Sequence, residues 1–253
     1  MDLPESTGHG SCRLDHALST VRVALPTGCR RAVVLFGSVS NVYDCAIPDR
    51  RLAGLTAAAS AVRAGQLVVL PTDTVYGLGC DAFSATAVQA LLSAKGRGRD
   101  MPVPVLVGSW STVDGLVLGV PTQARALIEA FWPGGLSLVL PHAPSLTWDL
   151  GDTRGTVMLR MPLHPVALEL LREVGPMAVS SANRSGLPPA TTVEQAREQL
   201  ADRVSVFLDG GPAGEMASTI VDLTGDDPVV LREGAVSAAA IGEVLGRAVD
   251  VAS

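Results

Sequence analysis

Lysine is almost missing from this chain. Lys95 is the only lysine among 19 lysines and arginines. Aromatic residues make up 4% of the sequence, and charged residues 17%. The formal net charge is −6, which argues against wholesale coating of nucleic acid, for which a broadly basic face is needed. The four cysteines, Cys12, Cys29, Cys45 and Cys80, have neither CxxC nor Cys/His ligand spacing. A zinc site and a disulfide framework are thereby set aside, and a reducing cytoplasm is the expected location. No apolar run reaches the roughly 18 residues of a membrane span. The N-terminus lacks the charged-then-apolar order of a secretion signal. No Walker loop, GxSxG or HExxH occurs. Gly77-Leu78-Gly79 lacks the third glycine of a dinucleotide fingerprint. None of the four histidines joins a catalytic pattern; His142 and His164 sit next to prolines at expected element ends. A covalent nucleophile is not indicated.

The surviving lysine is the first positive signal. Lysine carries a compact, rotatable ammonium, whereas arginine carries a rigid planar fork. Lys95 sits in Lys95-Gly96-Arg97-Gly98-Arg99, where three cations are separated by glycines. This arrangement fits a pocket for a polyanion. A solvated surface charge would explain the same residues.

The length of 253 residues allows one large domain or two small ones. Residues 1–50 mix Gly, Ser, Pro, Arg and Cys without a sustained period. They are expected to form a disordered or poorly packed extension, dispensable for activity and stability. Residues 51–253 form the expected catalytic domain. There, strands and helices alternate. Helices are expected over Ala53–Ala64, from Ser84 to Ala94, over Thr122–Trp132 and Pro165–Val174, after a Thr191/Glu194 capping box, and from Ser237 to Leu245. Strands are expected at 67–70, 103–107, 136–140, 157–160, 177–180, 204–208, 219–223 and 229–231. The alternation implies an α/β fold with a mixed sheet.

Four expected strand or helix ends carry polar clusters, which is where α/β folds bind ligands. Pro71-Thr72-Asp73-Thr74-Val75-Tyr76-Gly77-Leu78-Gly79 sets two hydroxyls and a carboxylate beside glycines; a self-satisfied turn is the simpler reading of this loop alone. Lys95-Gly96-Arg97 is the second. Ser180-Ser181-Ala182-Asn183-Arg184-Ser185-Gly186 is the third, and an Asn/Gly turn would explain it too. Arg160 closes an apolar strand and needs an anionic partner, either a ligand carboxylate or an acid of the protein.

Taken together, these segments, with Ser218-Thr219-Ile220-Val221-Asp222 and Leu231-Arg232-Glu233-Gly234, closely resemble the YrdC/Sua5 family of L-threonylcarbamoyladenylate synthases. The resemblance runs from about Ala53 to Gly234, with the motifs in order. It implies an α/β fold with a twisted open sheet, flanking helices and a basic concave pocket, in the short form without a further C-terminal domain. It implies synthesis of threonylcarbamoyl-AMP and pyrophosphate from L-threonine, bicarbonate or CO2, and ATP, for t6A modification at tRNA position 37. By resemblance, Lys95 and Arg97 contact the triphosphate, and Ser181 and Asn183 hold phosphate or adenosine. Thr156 and Arg232 complete the ATP site. Thr72 and Thr74 orient L-threonine, Arg160 clamps its carboxylate, and Ser218 lies nearby. Mg2+ arrives with ATP. Implied partners are the tRNA-modification proteins that take up the threonylcarbamoyl group, with direct tRNA contact weak. Gly98, Gly135, Ser137 and Leu106 depart from common family residues. The competing expectation is a non-catalytic RNA-binding or ribosome-maturation module using the same pocket.

Overall fold

The computed structural model describes residues 41–252. Strands, in chain order, are β1 (Asn41–Asp44), β2 (Val68–Leu70), β3 (Gly77–Asp81), β4 (Val105–Leu106), β5 (Leu136–Pro141), β6 (Thr156–Arg160), β7 (Met177–Ser181), β8 (Val206–Asp209), β9 (Thr219–Asp222), β10 (Val229–Arg232) and β11 (Asp250–Val251). Helices are α1 (Pro48–Arg63), α2 (Ala85–Lys95), α3 (Thr122–Phe131), α4 (Pro165–Val174), α5 (Val193–Leu200) and α6 (Ala238–Leu245), with a 3-10 helix at Trp110–Gly115.

The strands form one mixed sheet in the order β1-β8-β2-β3-β7-β4-β6-β5-β9-β10-β11. Side chains alternate between its faces. Leu67 and Val69 enter one core layer, whereas Val68 and Leu70 enter another with residues of α1 and α4. Strand β6 shows what the alternation achieves. Val157 and Leu159 are buried in the first layer, while Met158 and Arg160 face a cavity on the opposite side. Its register with β4 pairs Arg160 with Leu106, and its register with β5 pairs Met158 with Val139.

Local chemistry explains the helix ends. The Ser84 hydroxyl caps α2 by accepting from Ala87 N at 3.3 Å. Gly96 ends α2 in the left-handed region, at φ 64°, which glycine adopts without a Cβ penalty. Pro165 starts α4, where its missing N–H leaves no bond unmade. Thr192, rather than Thr191, caps α5, accepting from Gln195 N, while the Gln195 side chain takes Thr191 N. The expected Thr191/Glu194 box is therefore shifted by one residue.

Two expectations change more. Residues 41–50 belong to the fold: β1 pairs in parallel with β8, and α1 starts at Pro48. The boundary of the expected extension thus moves from residue 50 to before residue 41; residues 1–40 lie outside the described residues. The glycine-bearing segment Gly77–Asp81 is a strand, paired antiparallel with β2 and β7.

Candidate functional site

The loop from β2 to β3 packs polar groups where water is excluded. Thr72 and Thr74 are 4% and 3% exposed. Thr72 Oγ1 donates to Val75 O at 2.6 Å. Its proton is thereby committed, so the 3.1 Å contact between the two hydroxyls has Thr74 as donor. Thr72 Oγ1 also accepts from Thr74 N at 3.2 Å. With one proton donated and both lone pairs taken, Thr72 is saturated. Thr74 Oγ1 accepts from Arg160 Nη1 at 2.8 Å and retains one lone pair. This corner of the site offers an acceptor.

Arg160 is 6% exposed at the end of β6. Its Nε donates to Gly134 O at 2.8 Å, just past the cis Trp132–Pro133 peptide. Its Nη2 donates to Asp73 Oδ1 at 2.6 Å. Asp73 Oδ1 also accepts from Leu163 N at 2.8 Å. Burial pushes the guanidinium's pKa down, and the Asp73 charge opposes that shift. The anionic partner that the sequence demanded is therefore present in the protein itself, as Asp73. Of the five guanidinium N–H groups, three are engaged, which leaves two.

The facing wall has the opposite polarity. Ser137 Oγ donates to Ser218 Oγ at 3.0 Å, and Arg232 Nη2 donates to it at 3.3 Å. Both Ser218 lone pairs are occupied and its proton is free, so Ser218 is a donor toward the cavity. Arg232 reaches this wall because of a β-bulge. The ladder pairs Val230 with Val221 and then Arg232 with Ile220, skipping Leu231. Arg232 Nε and Nη2 then bond Ser218 O at 3.1 and 2.7 Å.

The third wall joins the end of α2 to the end of β7. Arg97 Nη1 donates to Ser180 Oγ at 3.2 Å. Its Nε is buried without a partner among the described residues, and burial lowers the pKa of the guanidinium. The Lys95 ammonium, 3% exposed, donates to Ser181 O, Asn183 O and Asn183 Oδ1 at 2.5, 2.9 and 3.1 Å.

These walls enclose a cavity of about 240 Å³. Of the residues expected at the site, Thr72, Thr74, Arg97 and Arg160 line it, as do Ser181, Ser218 and Arg232. Lys95 and Asn183 stand behind the wall. Thr156 is on β6, two alternations from Arg160 on the same face, and its hydroxyl donates to Thr153 O at 2.8 Å. The sequence reading missed Ser180 as the partner of Arg97, and Ser137 as the partner of Ser218. It also missed Met158, Val179 and Ile220, which with Leu106, already expected near the threonine, form an apolar floor. Strand alternation around Arg160 would have located Met158. Val179 and Ile220 depend on sheet order, which sequence does not display. Among the described residues, the cavity wall holds three arginines and no carboxylate. Among the described residues, no cluster of three or more His, Cys, Asp or Glu is placed to hold a metal.

The Sua5/YciO/YrdC family model, described as "Telomere recombination", matches residues 60–234. A putative threonylcarbamoyl-AMP synthase of Mycobacterium tuberculosis is 67% identical over 216 residues, covering 85% of this chain and 99% of the relative. The threonylcarbamoyl-AMP synthase of Bacillus subtilis is 41% identical over 192 residues, covering 75% of this chain and 56% of its own length. The structure of Pyrococcus abyssi Sua5 in complex with L-threonine superposes with a TM-score of 0.75 at 36% identity. That match covers 78% of this chain and 58% of the Pyrococcus chain. Sequence motifs, sheet topology and these likenesses agree: the chain belongs to the Sua5/YciO/YrdC family.

Proposed function

We propose that this protein is a threonylcarbamoyl-AMP synthase. One observation carries the reading. Polar residues from six separated segments, at Thr72/Thr74, Arg97, Arg160, Ser180/Ser181, Ser218 and Arg232, converge on a single cavity whose charged side chains among the described residues are all arginines. Such a wall suits a substrate set rich in negative charge: carbamate, carboxylate and triphosphate.

The reaction has two steps. The threonine amine adds to CO2 and loses a proton, giving a carbamate. A carbamate oxygen then attacks the α-phosphorus of ATP. The bond from that phosphorus to the bridging oxygen breaks, and pyrophosphate leaves with the electron pair. Such a transfer depends on positioning and charge neutralisation. Arg97 and Arg232 supply positive charge as it shifts to the leaving group, and Ser181 adds a hydroxyl. Thr156 extends the wall toward the nucleoside. Thr74 offers its free lone pair to an N–H or O–H of threonine. Ser218, with its free proton, and the two remaining N–H groups of Arg160 suit the carboxylate. Leu106 and Met158 on the floor accommodate the methyl group.

Mg2+ is written here as part of the ATP substrate. The carboxylate-free wall does not fit a protein-held Mg2+, so phosphates and water carry it. The product would pass to proteins that place the threonylcarbamoyl group on tRNA, which puts the enzyme in the cytoplasm. Purified protein should release pyrophosphate only when ATP, Mg2+, bicarbonate and L-threonine are all present. Release indifferent to threonine would overturn the assignment.

A further inference from the structure

The structure assigns Lys95 a role distinct from nucleotide binding. We propose that it is a positioning residue whose ammonium staples the loop after β7 into the shape that presents Ser180 and Ser181 to the cavity. This rests on the synthase reading only for its kinetic test.

The geometry is closed. An ammonium has three donors and no acceptor. Lys95 Nζ meets Ser181 O, Asn183 O and Asn183 Oδ1 within 3.1 Å, so every proton has a partner inside the protein. Asn183 is held in the matching orientation, because its Nδ2 donates to Leu187 O at 2.6 Å and Arg184 O at 3.1 Å. That leaves Oδ1 for the cation. The lysine backbone joins in, with Lys95 O accepting from Ser185 N at 2.8 Å. Asn183 N also donates to Ser181 O at 2.9 Å, so the chain curls around the charge.

The staple connects the two halves of the phosphate wall. Lys95 ends α2, and Arg97 follows across the left-handed Gly96. Arg97 then bonds Ser180 Oγ, one residue before the carbonyl that Lys95 holds. One buried cation thus fixes the spacing between a guanidinium and two serines. Four acceptors, of which Ser181 Oγ at 3.5 Å is the most distant, converge on one point and call for a point cation with rotatable donors, which a planar fork does not reproduce. The same fact accounts for the single lysine in an arginine-rich chain. An ammonium that reached for phosphate would leave Asn183 O and the buried Asn183 Oδ1 without the donor that Lys95 supplies, while Ser181 O would keep Asn183 N.

The charged group acting on the ammonium is Arg97; the β7 loop meets it with neutral acceptors only. Burial, reinforced by Arg97, lowers the Lys95 pKa to about 8. The charged form therefore predominates below pH 8 and is lost as pH rises through that value.

The test has two arms. Hydrogen exchange on the ligand-free protein compares wild type with Lys95→Met and Lys95→Arg. Both variants should exchange the amides of Asn183 and Ser185 at least tenfold faster, with β5 and β6 unchanged. Unchanged exchange in both variants refutes the staple, even if the protein proves to have no synthase activity. The second arm is kinetic. Lys95→Met and Asn183→Ala should be non-additive, with the double variant within about threefold of Lys95→Met alone. Wild-type kcat should fall as pH rises through 8, and this limb should be missing in Lys95→Met. Losses that multiply, or a limb that survives the substitution, overturn the proposal and return Lys95 to direct phosphate contact.

Discussion

Removing Asp73 should damage the protein more than removing Asp73 and Arg160 together. The ion pair is 2.6 Å long, with the arginine side chain 7% and the aspartate side chain 17% exposed. Asp73→Ala leaves a guanidinium buried beside Thr74 and Gly134 O with no counter-charge. Breaking a buried pair from one side costs about 3–5 kcal/mol. At roughly 2–4 °C per kcal/mol for a domain of this size, the melting temperature should drop by about 6–20 °C. Asp73→Ala/Arg160→Met removes both charges and keeps an apolar stem in the gap. Replacing a buried pair by apolar groups is often neutral or stabilising. The double variant should therefore melt at least about 4 °C above Asp73→Ala, equivalent to roughly 1–2 kcal/mol recovered. Both variants should raise the KM for L-threonine more than that for ATP. Calorimetric melts and initial rates on the two variants and on Arg160→Met decide the matter. A double variant less stable than Asp73→Ala would mean that Asp73 does not compensate the Arg160 charge, and the account of this corner would fail.

Three further outcomes are expected. Gly77→Ala should lose about 1–3 kcal/mol, because the new Cβ would stand 2.6 Å from Val179 Cγ1; urea melts should show Val179→Ala restoring part of the loss. Deleting residues 1–45 should lower the melting temperature, since this removes β1 from its pairing with β8 and Tyr43 from its contact with α1 at Gly54; an unchanged melt would show that β1 adds nothing to the fold. Cys80, fully buried with its thiol pushed up to about 12, should resist alkylation at pH 8 until the protein unfolds, as read by peptide mass mapping.

Much of the fold was legible wherever local chemistry decided it. Pro165 and Ser237 start their helices as the sequence implies, and Gly96 and Gly246 end theirs in the left-handed region. Strand β3 was not legible. Gly77-Leu78-Gly79-Cys80 lacks β-branched residues, and only the flanking β2 and β7 make it a strand. The expected strand over 103–107 shrinks to Val105–Leu106, although Pro104 O still accepts from Val179 N at 2.9 Å. At the site, the motif segments were legible and their connections were not. The acceptors around Lys95 lie 86 and 88 residues away in sequence, and Asp73 lies 87 from Arg160. The direction of each hydroxyl proton depends on such distant partners, so motif spacing leaves the donor and acceptor walls undistinguished.

The bulge between β9 and β10 makes Arg232 a matter of chain length as much as of residue type. Leu231 is the unmatched residue, 45% exposed. If it were excised, the ladder would close up, and the residue now numbered 232 would take the place opposite Ile220 with its usual alternation intact. If a residue were inserted instead, the arginine would swing to the layer that buries Val221 and Val230. The two errors are therefore unequal. A one-residue deletion here would keep the arginine on the cavity face, and a one-residue insertion would not.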